Sequence, residues 1–124
     1  MITKPTIKTL NKNFQIKNLK YTSVIKNINE GVKNVDCVIT DTWISMGEKK
    51  IKNKKNLLKR FQVNDKIMKL ANKKAIFMHC LPAHRNEEVT DSVIDGKQSV
   101  VWKQAKNRMY VQQAILCYLI NYAK

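Results

Sequence analysis

The chain has little of several things, and each shortage excludes something. No apolar run approaches the roughly 18 residues that a membrane span needs. Met1-Ile2-Thr3-Lys4-Pro5 has none of the apolar core of a secretory signal. Acid is scarce, at 9 Asp and Glu in 124 residues, and the first 29 residues contain none. Those residues also contain no Arg, so they read as ordinary domain sequence rather than a transit peptide. Aromatic residues make up 7%, and no stacking motif alternates with the basic residues. Cys37, Cys80 and Cys117 are far apart and odd in number, which argues against a disulfide framework and for free thiols in a reducing cytoplasm. There is no internal repeat and no low-complexity linker.

What is present is a chain of single-domain size, with 44% apolar and 27% charged residues, a globular and soluble balance. The net charge of +15 invites a nucleic-acid reading. The composition weakens it. Lys supplies 21 of the 24 basic residues and is spread along the whole chain, while Asn and Ile number 13 each. All three have A/T-rich codons, so genome composition accounts for the excess without an anionic partner.

Apolar spacing orders the elements. Ile7, Leu10 and Phe14 predict a helix over about 5–15, and 19–24 reads as a short strand. Ile25, Ile28, Val32 and Val35 predict a second helix, and 35–40 a buried strand. Residues 41–55 read as a loop with Gly47 as its hinge. Leu57, Leu58 and Phe61 form a helix face, and Asn64 caps a short helix carrying Ile67, Met68 and Ala71. Ala75-Ile76-Phe77-Met78 is a second buried strand. Thr90 caps a short helix that stops at the Asp95-Gly96 turn, 99–102 reads as a strand, and 103–122 as a long helix. Strands alternating with helices at this spacing predict an α/β fold, a parallel sheet flanked by helices in the Rossmann-like manner. In such sheets ligands bind beyond the carboxyl ends of the strands.

Two unusual clusters stand at such ends: Asp41-Thr42-Trp43 and His79-Cys80-Leu81-Pro82-Ala83-His84-Arg85. If their strands are neighbours, the clusters face one pocket. Asp41 can accept hydrogen bonds from an ammonium group, or simply cap a turn. Cys80 between His79 and His84 permits an imidazole-assisted thiolate, a metal ligand, or a thiol close to substrate without a covalent role. The metal reading is weak, because His79, Cys80, His84 and Cys37 lack the usual ligand spacing. A buried Cys beside two loop histidines is the plain alternative. Cys37 and Cys117 lie in apolar runs, where a Cys is usually a small buried hydrophobe. Arg60, Arg85 and Arg108 are the only arginines, and a Lys-rich chain keeps Arg where a planar two-pronged donor is needed.

From about Lys20 onward, motifs recur in an order that resembles the C-terminal part of ornithine carbamoyltransferase. They are Asp41-Thr42-Trp43-Ile44-Ser45-Met46-Gly47, Phe77-Met78-His79-Cys80-Leu81-Pro82-Ala83-His84-Arg85, Glu88-Val89-Thr90-Asp91-Ser92-Val93-Ile94-Asp95-Gly96, Gln98-Ser99-Val100-Val101-Trp102 and Asn107-Arg108-Met109. The resemblance implies transfer of a carbamoyl group from carbamoyl phosphate to the δ-amine of L-ornithine, giving L-citrulline and phosphate. By resemblance Asp41, Ser45 and Met46 bind the amino-acid end of ornithine. Cys80 and Leu81 meet the carbamoyl group, and Pro82 fixes the Leu81 carbonyl through a cis bond. Arg108 donates to the carbamoyl oxygen, and Cys80 lies beside the attacking amine. No metal or organic cofactor is implied. The family forms homo-oligomers, usually trimers.

The departures are as informative. The Ser-x-Arg-Thr loop and the His-Pro-x-Gln motif of the family's carbamoyl-phosphate lobe are absent from this sequence, and Glu48 stands where the family has Gln. The expectation is an incomplete ornithine-binding lobe spanning 1–124, inactive by itself, whose helix 103–122 packs toward the other lobe. Three alternatives remain: a carbamoyltransferase with another amine acceptor such as putrescine, a non-catalytic basic binding module, and a structural remnant that binds nothing.

Overall fold

The computed structural model describes residues 23–44 and 53–122. The expected helix at 5–15 and most of the strand at 19–24 lie outside them.

The sheet is built on two strands, β1 (Cys37–Thr40) and β2 (Ile76–His79), which pair in parallel. Cys37 stands opposite Ile76, Val38 opposite Phe77, Ile39 opposite Met78 and Thr40 opposite His79. Side chains alternate between faces along a strand, so Val38 and Phe77 share one face and are buried, while Cys37 and Ile39 point the other way and are exposed. On the far side of β2, the Phe77 amide donates to the Gln98 carbonyl at 2.8 Å and the Val100 amide to the Phe77 carbonyl at 3.0 Å. The expected strand at 99–102 is therefore a single bridge at Ser99. Val101 and Trp102 instead open the last helix, because the chain turns away from the sheet once Val101 is buried.

The connection between the strands runs through α2 (Lys54–Leu58), a 3-10 turn at Lys59–Phe61 and α3 (Asp65–Leu70). Ahead of β1 lies the short α1 (Ile28–Gly31), shorter than the apolar spacing of 25–35 predicts. α3 begins where sequence places it. Asn64 is extended, and its side chain accepts from the Lys66 and Ile67 amides at 3.1 and 3.2 Å. Ile67 and Met68 are then buried in the apolar core. Following β2, α4 (Asp91–Ile94) buries Val93 and Ile94. It stops at Gly96, where a Cβ would stand 2.5 Å from the Ser92 carbonyl oxygen, a backbone atom with no room to yield.

These elements form one apolar core around Phe77, with Val63, Ile67, Val89, Ile94 and Val101 among its members. The core covers one face of the sheet. Among the described residues the opposite face is open, and Ile39 is 56% exposed there. The last helix, α5 (Val101–Tyr122), buries only Val101. Leu116, Tyr118 and Ile120 are 58, 63 and 78% exposed. Cys37 and Cys117, expected as buried hydrophobes, are both exposed for this reason: their runs are apolar, but nothing among the described residues covers them. Among the described residues no helix is long and apolar enough to cross a membrane.

Candidate active site

Parallel pairing brings the two unusual clusters together. One position beyond the last paired residues of β1 and β2 stand Asp41 and Cys80. The Cys80 thiol donates to Asp41 Oδ1 across 2.9 Å. The same oxygen accepts the Thr42 backbone amide at 2.7 Å. These two donors favour the charged carboxylate, so Asp41 is held below the ordinary Asp range, chiefly by the thiol hydrogen bond. Cys80 moves the opposite way. Partial burial pushes its thiol up, and the hydrogen bond to Asp41 and the charge of that carboxylate push further. At neutral pH the pair is a carboxylate holding a neutral thiol, not a thiolate ready to attack.

Arg108, in the second turn of α5, reaches back over the same corner. Its Nη1 donates to the Cys80 carbonyl at 3.1 Å. The guanidinium keeps further N–H groups for another acceptor. Gln104, one turn earlier, accepts the His79 backbone amide at 3.1 Å. The helix thus fixes the chain on both sides of the His79–Cys80 peptide. The Leu81–Pro82 bond is cis, as the resemblance implies, and Leu81 has a φ of 54°. Asp41, Cys80, Leu81 and Arg108 are therefore all at one corner. Ser45 and Met46 lie outside the described residues.

Sequence reading missed Glu88. It is fully buried, as is His79 beside it. Its Oε1 accepts the His84 amide at 2.5 Å and stands 3.3 Å from His79 Nε2. The available signal was an acid four residues after His84. His84 Nδ1 lies 3.8 Å from Glu88 Oε2. His84, Glu87 and Glu88 offer ligand atoms within 4.8 Å of one another, a spacing a metal ion can use. Glu87, however, is engaged with Lys55 Nζ at 2.5 Å.

The three arginines are engaged differently. Arg85 grips Asp95 with both terminal nitrogens, at 2.5 and 3.0 Å, and Asp91 at 2.7 Å. Arg60 lies over the Phe61 ring, 4.8 Å from its centre. Arg108 bridges helix and loop.

Residues 2–119 match the model of the aspartate/ornithine carbamoyltransferase Asp/Orn binding domain. A curated ornithine carbamoyltransferase of Rhodopseudomonas palustris is 60% identical over 92 residues, which are 74% of this chain and 30% of that protein. Among solved structures, the ornithine carbamoyltransferase of Burkholderia thailandensis superposes with a TM-score of 0.72 at 42% identity, covering 84% of this chain and 32% of that one. The enzyme of Pyrococcus furiosus superposes with a TM-score of 0.67 at 48% identity, covering 73% and 29%. The chain spans about 30% of the length of the curated relatives it matches. Matched along nearly its whole length and sharing their fold, this chain belongs to the aspartate/ornithine carbamoyltransferase family, in its Asp/Orn binding domain.

Proposed function

We infer that this chain supplies the ornithine-binding part of an ornithine carbamoyltransferase, and that the reaction requires the carbamoyl-phosphate lobe as well. The observation that carries the reading is the meeting of Asp41, Cys80 and Arg108 at the carboxyl ends of β1 and β2. Asp41 stays ionised and exposed, ready to take the α-ammonium of an amino acid. Ser45 and the Met46 backbone complete the grip on that end by family resemblance.

The δ-amine of ornithine has an ordinary value near that of Lys, about 10.4, so it must lose a proton before attacking. The lone pair then adds to the carbonyl carbon of carbamoyl phosphate, and the C=O electrons move onto oxygen. Arg108 donates to that oxygen as charge accumulates. When the C=O re-forms, the bond to the phosphate oxygen breaks, and phosphate leaves with the bonding pair and takes up the second proton shed by the attacking nitrogen, the first having gone to solvent. The neutral Cys80 thiol serves as a polar neighbour of the amine, with no covalent intermediate. The Leu81 carbonyl orients the carbamoyl NH₂. Alignment and oxyanion stabilisation supply the acceleration.

Residues 1–124 then form a partial ornithine-binding domain. The apolar surface of α5 is the face that packs toward the carbamoyl-phosphate lobe, and the complete protein is a homo-oligomer, a trimer by family resemblance. Three unpaired cysteines suit the cytoplasm. The test is complementation. The chain is combined with the carbamoyl-phosphate lobe of a relative, and citrulline is measured with L-ornithine as acceptor and N-carbamoylputrescine with putrescine. Citrulline formation lost in Asp41→Ala and Arg108→Ala is expected. Preference for putrescine, or salt-sensitive nucleic-acid binding that survives both substitutions with no citrulline formed, would overturn the reading.

A further inference from the structure

Glu88 is a fully buried acid outside the group that meets substrate in the reading above. An acid buried without purpose is costly, so its partners matter. Its Oε1 has two: the His84 amide at 2.5 Å, at the end of the Cys80–Pro82 loop, and His79 Nε2 at 3.3 Å, at the start of it. The approach to His79 is close but not well aligned. The imidazole is engaged on its other side too. His79 Nδ1 accepts the Leu81 backbone amide at 2.9 Å.

That acceptance settles where the ring's proton sits. A nitrogen that accepts an N–H carries no hydrogen, so the neutral ring bears its proton on Nε2, the atom facing Glu88. A carboxylate behind an imidazole fixes ring orientation and tautomer in just this way. The other end of the relay is backbone. Leu81 has a positive φ of 54°, a conformation that costs a side-chain-bearing residue free energy and persists only when neighbours impose it. The hydrogen bond to His79 is such a constraint. The ring does not act on sulfur, because the Cys80 thiol is directed to Asp41.

We propose that Glu88 is a positioning residue: it holds His79 in the Nε2–H tautomer, so that Nδ1 pins the Leu81 amide and thereby sets the orientation of the Cys80–Leu81 peptide, whose carbonyl accepts from Arg108. The functional consequence for the carbamoyl group rests on the ornithine carbamoyltransferase reading, but the relay itself does not.

The experiment uses the full 124-residue chain and needs no substrate, so its failure is separate from failure of that reading. Long-range ¹H–¹⁵N spectra of labelled histidine report the His79 tautomer, and amide exchange reports Leu81. Expected are an Nε2–H ring in the unmodified chain and a Leu81 amide whose exchange accelerates at least tenfold in Glu88→Leu while the Phe77 amide is unchanged. Glu88→Gln, which keeps an acceptor oxygen in the same volume, restores both signals. A proton on Nδ1 of His79 overturns the proposal, and so does Leu81 exchange that is indifferent to Glu88→Leu. Should Glu88→Leu not fold, the tautomer in the unmodified chain and in Glu88→Gln decides by itself.

Discussion

Asp41 and Cys80 are 39 residues apart in sequence and 2.9 Å apart in space, with the thiol donating to the carboxylate. The contact exists because β1 and β2 are parallel and in register, so their carboxyl ends coincide. The pair shifts each partner's titration in opposite senses, which gives a direct measurement. With Cys37 and Cys117 replaced by Ser, the pH dependence of Cys80 alkylation should have its midpoint above the ordinary thiol range, because burial and Asp41 both oppose the thiolate. Asp41→Asn should lower that midpoint and speed alkylation at pH 8. The folded thiol value lies above the unfolded one. Its contribution to stability is therefore full below the unfolded value, about 8.5, and is lost as pH rises through the folded one. A midpoint unchanged by Asp41→Asn would contradict the hydrogen bond.

Acid behaviour should report on Arg85. Asp91 and Asp95 are both held below the ordinary carboxylate range, mainly by hydrogen bonds from this guanidinium. Their contribution is present above the unfolded value near 3.9 and is lost as pH falls through the folded values. In Arg85→Gln, side-chain carboxylate NMR should show both acids titrating at higher pH. The effect on stability at pH 7 should be small, because all three groups are exposed and screened by water and salt.

The start of α3 depends on one side chain. Asn64→Ala removes the acceptor for two amides at the helix N-terminus. A cost of about 1 kcal/mol is expected, read as a lower midpoint in urea with an unchanged slope.

Phe77 is the centre of the core and is wholly buried. Phe77→Ala should cost about 3–5 kcal/mol from lost transfer energy and the cavity left behind. That is a large part of a typical domain's stability of about 5–15 kcal/mol, so circular dichroism at 25 °C should show a largely unfolded chain. Retention of a cooperative melt close to that of the unmodified chain would mean that the core is built differently.

α5 presents apolar side chains to solvent along its second half. Leu116→Glu together with Ile120→Glu should cut binding of an apolar dye and reduce self-association in sedimentation, while leaving Cys80 alkylation unchanged. The same pair should weaken docking to a carbamoyl-phosphate lobe. Undiminished docking would show that α5 is not the contact surface.

Local chemistry makes much of this legible in the sequence. Asn64 is a cap because its short carbonyl side chain can reach amides two and three residues on, and Asp95-Gly96 is a turn because only Gly fits that close to Ser92. The strands at 37–40 and 76–79 were readable from apolar residues with β-branched or aromatic side chains, and the motifs at their ends marked the site. Strand length at 99–102 was not readable, because whether Val100 and Val101 stay in a sheet depends on what lies beside them.

Tertiary structure alone decided three things. It decided that the two strands are direct neighbours, which turned two separate motifs into one corner. It decided the exposure of Cys37 and Cys117, since an apolar run states a preference for burial and only a covering element fulfils it. It decided the role of Glu88, because an acid is ordinarily a surface residue, and nothing along the chain says that two imidazoles and a loop amide will close around it. Sequence determined what each segment prefers, since preference is a property of a residue and its near neighbours. Which groups meet was decided by folding, since contact across 39 residues is a property of the packed sheet.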